Sequence, residues 1–303
     1  MTRLLAIALL RLLSWTPLRV LDALAVPLSW ILRLLPWRGH AVIRKNLEMC
    51  FPELDAGERE TRYRQHLVES MRLVLESGAM SYWSADTLQR HVPIVEGWEA
   101  TRELIDGKRG VIIVGAHFGN WEVLPLWLSI HRPLTALYKA PKRPELDRLI
   151  TTTRSRFGSR MIASGSPSMR RMLAALKQGE MIGILADQQP KQGEGVFIDF
   201  FGQPALTMTL VNRLARRTGA AVIFISAERL PKGKGWNLRF TPADERIADE
   251  NPASALAVMH EWLEDEVRRN PAQYLWSYKR FSLQPGGRPS PYPRNSRRNK
   301  RAS

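Results

Sequence analysis

Along the middle of the chain, short apolar runs alternate with amphipathic segments. A short unbroken apolar run is typical of a strand buried on both faces, whereas apolar residues three and four positions apart are typical of a helix. Because strands and helices alternate, we predict an α/β fold with a mostly parallel sheet flanked by helices. The pattern predicts strands over residues 110–115, 134–138, 181–186 and 221–226, and helices over residues 56–78, 120–130, 144–157, 207–217 and 252–269.

Capping and turn residues set the expected limits of several elements. Asp55 is a candidate N-cap for the first of these helices, and Ser166 followed by Pro167 is typical of another helix start. Gly179 is expected to end that second helix, and the prolines after residue 284 indicate a disordered tail. We therefore divide the chain into N-terminal helices (residues 1–45), an α/β domain (residues 46–284) and a basic, proline-containing tail (residues 285–303).

The first 36 residues are unusually apolar, with tryptophans and arginines among the aliphatic side chains. The longest uncharged run covers residues 23–32, which is short of the roughly 20 residues that a spanning helix requires. Pro17 and Pro27 are expected to break the stretch into two short helices. We predict that these helices lie in a membrane interface, with the arginine side chains reaching the lipid headgroups.

Two other interpretations of this apolar stretch are open. Residues 23–25 (Ala-Leu-Ala) resemble a signal-peptide cleavage site, but Arg11, Arg19 and Asp22 interrupt the apolar region that a signal peptide requires. The stretch also fits a helical hairpin buried in the core of the domain.

Composition narrows the classes of protein that remain. The chain has 303 residues, and its 45 Lys and Arg against 29 Asp and Glu give a net charge of +16. Cys50 is the only cysteine, which excludes an intrachain disulfide and a cysteine-based zinc site and favours a reducing compartment. The basic excess is concentrated at the two ends of the chain. Such ends fit an anionic surface of lipid or nucleic acid, and they equally fit solvated segments that aid solubility.

The candidate chemistry follows the first predicted strand, where residues 116–122 read Ala-His-Phe-Gly-Asn-Trp-Glu. If His117 lies in the loop and Glu122 in the first turn of the helix, the carboxylate can fold back onto the imidazole. A carboxylate at one ring nitrogen fixes the tautomer and leaves the other nitrogen as a general base. The same two residues also fit a structural loop histidine and a helix-capping glutamate. The other histidines have no metal-ligand spacing with His117, so we predict no metal site.

Several segments together carry a family resemblance. They are RKNLEMCFPEL (44–54), GAHFGNWE (115–122), RSRFG (154–158), LADQ (185–188) and QYLWSYKRF (273–281). With these segments in the family's order between about residues 40 and 285, the chain resembles the late acyltransferases of bacterial lipid A biosynthesis. These enzymes move a fatty acyl chain from acyl carrier protein to a hydroxyacyl chain of the lipid A precursor. One departure is Tyr278, where histidine is more common in the family.

The resemblance implies a fold like that of the glycerolipid acyltransferases, no cofactor, and a location at the cytoplasmic face of the inner membrane. It implies acyl carrier protein and a lipid A precursor as partners, with His117 as the base and Glu122 as its partner. An attacking alcohol and a developing oxyanion require a base and a fixed positive donor. Arg154 or Arg156 is the candidate donor, and both also fit the exposed face of a helix.

Polar residues that follow the predicted strands are candidates for contacts with the substrate. Asp187 and Gln188 are also placed to hold the loop after them, and Lys142 also fits a solvated loop. The candidates are Asn120, Lys139, Lys142, Arg143, Asp187 and Gln188.

Two alternatives to this function stay open. A non-enzymatic protein that binds nucleic acid or lipid through basic ends explains the charge, but it leaves residues 115–122 unexplained, and no nucleic-acid-binding motif is present. Within the enzyme class, an ornithine lipid, a phosphatidylinositol mannoside or glycerol phosphate is an alternative acceptor.

Overall fold

The computed structural model describes residues 2–141, 143–165 and 168–293. The α-helices in these residues are α1 (Thr2–Trp15), α2 (Leu18–Leu34), α3 (Gly39–Cys50), α4 (Ala56–Tyr82), α5 (Ala85–Arg90), α6 (Trp98–Asp106), α7 (Val123–His131), α8 (Pro144–Arg154), α9 (Ser168–Lys177), α10 (Leu210–Thr218) and α11 (Pro252–Arg269). The strands are β1 (Ile94–Glu96), β2 (Val111–Gly115), β3 (Leu134–Tyr138), β4 (Arg160–Ala163), β5 (Met181–Leu185), β6 (Gly195–Phe200), β7 (Gln203–Met208), β8 (Ala221–Arg229) and β9 (Trp236–Pro242).

One sheet organises the domain. Its strands follow the order β1-β9-β8-β2-β5-β3-β4, and every neighbouring pair is parallel except the antiparallel pair β8 and β9. Strands β6 and β7 form a separate antiparallel hairpin. The predicted fold class, a mostly parallel sheet flanked by helices, is therefore confirmed.

The two faces of the sheet bury separate apolar clusters because successive side chains of a strand point to opposite faces. In β2, Ile112 and Val114 lie in the cluster that includes side chains of α10 and α11. Val111 and Ile113 lie in the other cluster, with side chains of α4 and α7. This double burial explains why the central strands read as unbroken apolar runs.

The sequence located most element ends well. The predicted N-cap at Asp55 is confirmed, since its side chain accepts a hydrogen bond from the backbone of Glu58. The Glu58 side chain also accepts one from the backbone of Asp55, which makes a capping box. Gly179 has a φ of 77°, in the left-handed region expected just after a helix. The proposed cap at Ser166 and Pro167 lies outside the described residues.

Several predictions about helices are wrong. The helix expected over residues 120–130 begins at Val123, and the helix expected over residues 144–157 ends at Arg154. Residues 207 and 208 pair with β6 as the end of β7, so the helix expected from residue 207 begins at Leu210. Pro27 does not end a helix but lies inside α2. A proline inside a helix removes one backbone hydrogen bond. The helix continues because Leu21 and Ala25 bury one of its faces against α4.

The N-terminal helices expose much of their apolar surface. Only one side of α1 and α2 packs against α4, where Gly78 lets the backbone of α1 approach closely. The alternative of a hairpin buried in the core is therefore wrong. No helix in the described ranges is long and apolar enough to span a bilayer. The large apolar side chains left exposed are Leu4, Leu5, Leu9, Leu12, Trp15, Val20, Leu24, Val26, Leu28, Trp30, Ile31 and Leu34.

Candidate active site

The topology of the sheet brings together residues that are distant in sequence. Strands β2 and β5 are parallel neighbours with Gly115 opposite Leu185, so both strands end at the same level of the sheet. His117 follows β2 by two residues, and Asp187 follows β5 by two residues. The carboxyl ends of parallel strands are where ligands bind in open α/β folds.

His117 and Asp187 form a hydrogen-bonded pair. The Nδ1 of His117 lies 2.8 Å from the Oδ1 of Asp187, and the backbone N–H of His117 donates to Oδ2 at 3.1 Å. Because an ionised carboxylate only accepts hydrogen bonds, Nδ1 carries the proton and Nε2 presents its lone pair. The Asp187 side chain is 3% exposed and that of His117 is 16% exposed. The carboxylate therefore lies behind the ring, and the ring faces the open side.

Opposing effects set the pKa of each member of this pair. Burial disfavours the charged form of His117, but the charge and hydrogen bond of Asp187, together with the charge of Glu122, outweigh it and raise the pKa of the imidazole. Burial also works against ionisation of Asp187, but the imidazole's charge and the two hydrogen bonds from His117 hold the pKa of this carboxyl below its usual range. The pair is thus organised to stabilise a proton on the ring.

The prediction that Glu122 bonds to the imidazole is wrong. Glu122 is the N-cap residue of α7, and its carboxylate receives two hydrogen bonds from Arg154 at the end of α8, one of them from Nε at 2.8 Å. The Nδ1 of His117 is instead bonded to Asp187, and Glu122 acts on the imidazole through its charge. Asp187, expected from the sequence to contact substrate or hold a loop, occupies the position assigned to Glu122.

The two candidate arginines lie in different surroundings. Arg154 pairs with Glu122, and its charge acts on His117. Arg156 instead donates to the backbone carbonyl of Met80 at the end of α4 and lies over the ring of Phe157. Burial lowers the pKa of Arg156 to about 10. Arg154 therefore lies beside His117, whereas Arg156 connects the segment that follows α8 to α4.

The other predicted contact residues are dispersed. Asn120 is 0% exposed, and its amide Nδ2 donates to a buried carboxylate of α4, so the prediction that it contacts substrate is wrong for this arrangement. Gln188 is close, with its amide nitrogen 3.3 Å from Nε2 of His117. Lys139 and Arg143 are exposed after β3. Lys142 lies outside the described residues.

The C-terminal segment supports the histidine loop, a contribution that the sequence did not reveal. Leu275 donates its backbone N–H to the carbonyl of His117 at 3.0 Å, and Gly119 donates to the carbonyl of Gln273 at 3.0 Å. The hydroxyl of Tyr278 accepts a hydrogen bond from the backbone of Gln189. The aromatic run at residues 274–281 was the available signal, because aromatic side chains in a segment without helical or strand pattern must pack against something.

An apolar cavity of about 70 Å³ opens beside the ion pair of Glu122 and Arg154. Trp121, Glu122 and Arg154 line one end of it. The ring of Trp121 also packs edge-on against His117, with centroids 4.9 Å apart. From there the cavity continues between α7 and the sheet, where its walls are almost entirely aliphatic. The cavity is therefore an apolar space next to the ion pair of Glu122 and Arg154.

The described residues contain no group of three or more His, Cys, Asp or Glu side chains arranged to hold a metal ion. The polar atoms at the strand ends therefore belong to a histidine and aspartate pair, an arginine and glutamate pair, and an amide. Such a set can take up a proton at Nε2 and stabilise a developing negative charge.

The fold and the site define an α/β protein with a histidine and aspartate pair at the carboxyl ends of its strands and an apolar cavity nearby. Residues 1–282 match the family model of the bacterial lipid A biosynthesis acyltransferases, and the chain belongs to this family. It is therefore an acyltransferase, as the motif resemblance indicated. The alternative prediction of a non-enzymatic binding protein is therefore wrong.

Three relatives illustrate the match. The chain is 31% identical over 259 residues to the lipid A biosynthesis palmitoleoyltransferase of Escherichia coli (strain K12), covering 84% of this chain and 82% of the relative. It is 28% identical over 256 residues to the lauroyltransferase of the same organism, with 84% and 83% covered. It is 25% identical over 260 residues to the myristoyltransferase, with 85% and 79% covered.

Proposed function

We propose that the protein transfers a fatty acyl chain from an acyl carrier protein thioester to the hydroxyl of a 3-hydroxyacyl chain on a lipid A precursor. The observation that carries this proposal is the hydrogen-bonded pair of His117 and Asp187, whose imidazole packs against Trp121 in the wall of an apolar cavity. Family membership supports the lipid A precursor as acceptor. No cofactor enters the reaction, because a thioester is already activated.

His117 is the general base of this reaction. Its Nε2 removes the proton of the acceptor hydroxyl as the oxygen attacks the thioester carbonyl. The substrate hydroxyl replaces the amide of Gln188, whose contact with Nε2 is long at 3.3 Å and weak. Asp187 stabilises the imidazolium that forms. When the carbon–sulfur bond breaks, the imidazolium returns the proton to the leaving thiolate.

Arg154 stabilises the oxyanion that forms on the thioester carbonyl. The guanidinium is charged at every relevant pH and stands next to the histidine and aspartate pair. Glu122 orients the guanidinium through two hydrogen bonds. A donor held in place before the reaction stabilises the transition state without reorganising, which is the main benefit of such groups.

The cavity receives the acyl chain of the donor. Leu124 and Leu128 of α7 face Ala136 of β3 and Gly183 of β5 across it. At about 70 Å³, the cavity holds a few methylene groups, so a long chain enters as the side chains of α7 move outward. Aliphatic walls select hydrocarbon over polar groups because a buried polar group without a partner is costly.

The N-terminal helices lie on the cytoplasmic face of the inner membrane. Trp15 and Leu34 are 74% and 85% exposed, and such a patch is typical of a membrane or protein interface. Arg11, Arg19 and Arg33 on the same helices can reach anionic headgroups. Attachment to this membrane gives the enzyme access to an amphiphilic acceptor.

Replacing exposed apolar residues of α1 and α2 is expected to release the protein from membranes. Changing Leu9, Leu12 and Trp30 to serine removes apolar area that would otherwise be buried in lipid, so most of the protein should move to the soluble fraction after ultracentrifugation. The matched control changes Ile94 and Phe197, which are exposed outside these helices. Equal release by both variants, or a mature chain that begins after Ala25, would contradict the proposal.

Deleting the gene and weighing the extracted lipid A by mass spectrometry tests the function itself. We expect the loss of one secondary acyl chain, restored by the wild-type gene and not by the His117→Ala variant. Unchanged lipid A with loss of an ornithine lipid or another acylated lipid would contradict the proposed acceptor.

A further inference from the structure

The loop that carries His117 is held from behind by backbone contacts. Asn120 donates its backbone N–H to the carbonyl of Ala227 in β8 at 3.0 Å. Gly119 adopts a φ of 57°, and a Cβ at this position would lie 1.9 Å from the same carbonyl oxygen. The loop therefore approaches β8 so closely that only glycine fits.

A buried charged network continues these contacts. The side-chain Nδ2 of Asn120 donates to Oε2 of Glu76 at 2.7 Å. Arg229, at the end of β8, donates to Oε1 of Glu76 at 2.6 Å and to Oε2 at 2.8 Å. The Nη1 of Arg229 donates to Oε2 of Glu69 in α4 at 2.6 Å. Three elements, α4, β8 and the histidine loop, thus meet at one carboxylate.

The centre of this network is shielded from solvent, while Glu69 at its edge is partly exposed and the Oδ1 of Asn120 is buried without a hydrogen-bond partner. Asn120, Glu76 and Arg229 are all buried. Burial disfavours the charge of Arg229, but the two carboxylates outweigh this and raise its pKa. Charges enclosed in this way hold a fixed geometry because any displacement leaves one of them unpaired.

The orientation of the Asn120 amide is also fixed. Glu76 is an acceptor only, so the NH₂ group of Asn120 must face it. Asn120 lies three residues after His117. Between them, Gly119 donates its backbone N–H to the carbonyl of Gln273. The side chain of Gln273 in turn bonds to the backbone of Arg229 through both its oxygen and its nitrogen.

We propose that Asn120 and Glu76 are positioning residues that hold the histidine loop so that His117 meets Asp187 and the substrate at once. This inference rests on the proposed function of His117. Neither residue touches the substrate, since both are buried behind the loop. Their contribution is to the alignment of the reacting atoms, to which transfer rates are very sensitive.

The test compares two buried asparagines. Asn120→Ala is expected to lower kcat by about tenfold or more, with the KM for the acyl donor changed less than about twofold, because alignment and not binding is lost. The matched control is Asn212→Ala in α10. Asn212 is buried too, and its amide donates to the carbonyls of Ile247 and Asp249. Both variants should lower Tm to a similar extent, but the control should keep kcat.

A conservative change at the carboxylate provides a second variant. Glu76→Gln keeps an oxygen that accepts from Asn120, so its kcat should lie between those of Glu76→Ala and the wild type. If Asn120→Ala and Glu76→Ala both keep wild-type kcat, or if Asn212→Ala loses as much kcat as Asn120→Ala, the inference is overturned.

Titration of His117 by nuclear magnetic resonance separates this inference from the proposed function. In Asn120→Ala a shifted loop weakens the contact with Asp187, so the pKa of His117 should fall towards its usual value, while Asn212→Ala leaves it unchanged. This result holds whatever substrate the enzyme uses. An unchanged titration in Asn120→Ala would overturn the positioning role even if acyl transfer is found.

Discussion

Replacing His117 by alanine is expected to lower the rate of acyl transfer by about 10² to 10⁴, the range typical for loss of a general base. Without Nε2, the acceptor hydroxyl must attack the thioester while it still carries its proton. The alanine variant keeps the backbone N–H that donates to Asp187 but leaves this buried carboxylate without its side-chain partner, so we expect a folded protein with a lower Tm. The rate is measured with a purified acyl carrier protein thioester and a lipid A precursor, with Tm recorded for each variant.

His131→Ala is the matched control for this experiment. That histidine packs against the rings of Trp98 and Trp127 at the end of α7, away from the strand ends. It should lose some stability and keep its transfer rate. Near-wild-type transfer by His117→Ala would remove the general base from the mechanism.

Asp187→Asn gives the same mechanism a pH signature. A base must be neutral to act, so kcat/KM should rise with pH through the raised pKa of His117. Removing the charge of Asp187 removes the main cause of that elevation, and the rising limb should move to lower pH while the maximal rate falls. If kcat/KM of Asp187→Asn rises over the same pH range as in the wild type, a group other than His117 governs the pH dependence.

The sequence predicted the central sheet well because burial on both faces leaves a strong local signal. Strands β2, β3 and β5 are short apolar runs that need no knowledge of their neighbours. Edge strand β4 begins at the exposed Arg160, and β9 places Arg239 among its buried residues. Neither strand contains a long unbroken apolar run, the pattern on which the strand predictions rested, so both were missed. The alternation of apolar and polar residues in β9 is itself typical of a half-buried strand.

The candidate site shows where local pattern stops. His117 was identified because it follows a buried strand, which the sequence displays directly. Its partner was misassigned because Glu122 is near in sequence, whereas Asp187 is near only through the pairing of β2 with β5. The positions of Asn120 and Glu76 depend on how α4 crosses behind the loop, which residue spacing does not encode. His117 and Asp187 could each be located after a predicted strand, but only the order of the strands shows that they are neighbours.

The second large expected effect is the loss of rate when Arg154, the arginine beside His117, is replaced. Arg154→Ala is expected to lower the chemical step by about 10² to 10³, as for removal of other oxyanion donors, because a charged donor beside the histidine and aspartate pair is lost. Glu122 would then carry an uncompensated charge near the reacting carbonyl, which adds to the loss. The chemical step is measured in single-turnover experiments with excess enzyme.

Arg156→Ala is the control that the RSRFG segment itself supplies. Arg156 holds the carbonyl of Met80 and lies over Phe157, so its loss should lower Tm while the chemical step changes by less than about threefold. Arg154→Lys should fall between Arg154→Ala and the wild type, since lysine keeps the positive charge but cannot make the two-point contact with Glu122. If Arg156→Ala slows the chemical step and Arg154→Ala does not, the oxyanion donor is Arg156, and the ion pair with Glu122 has only a structural role.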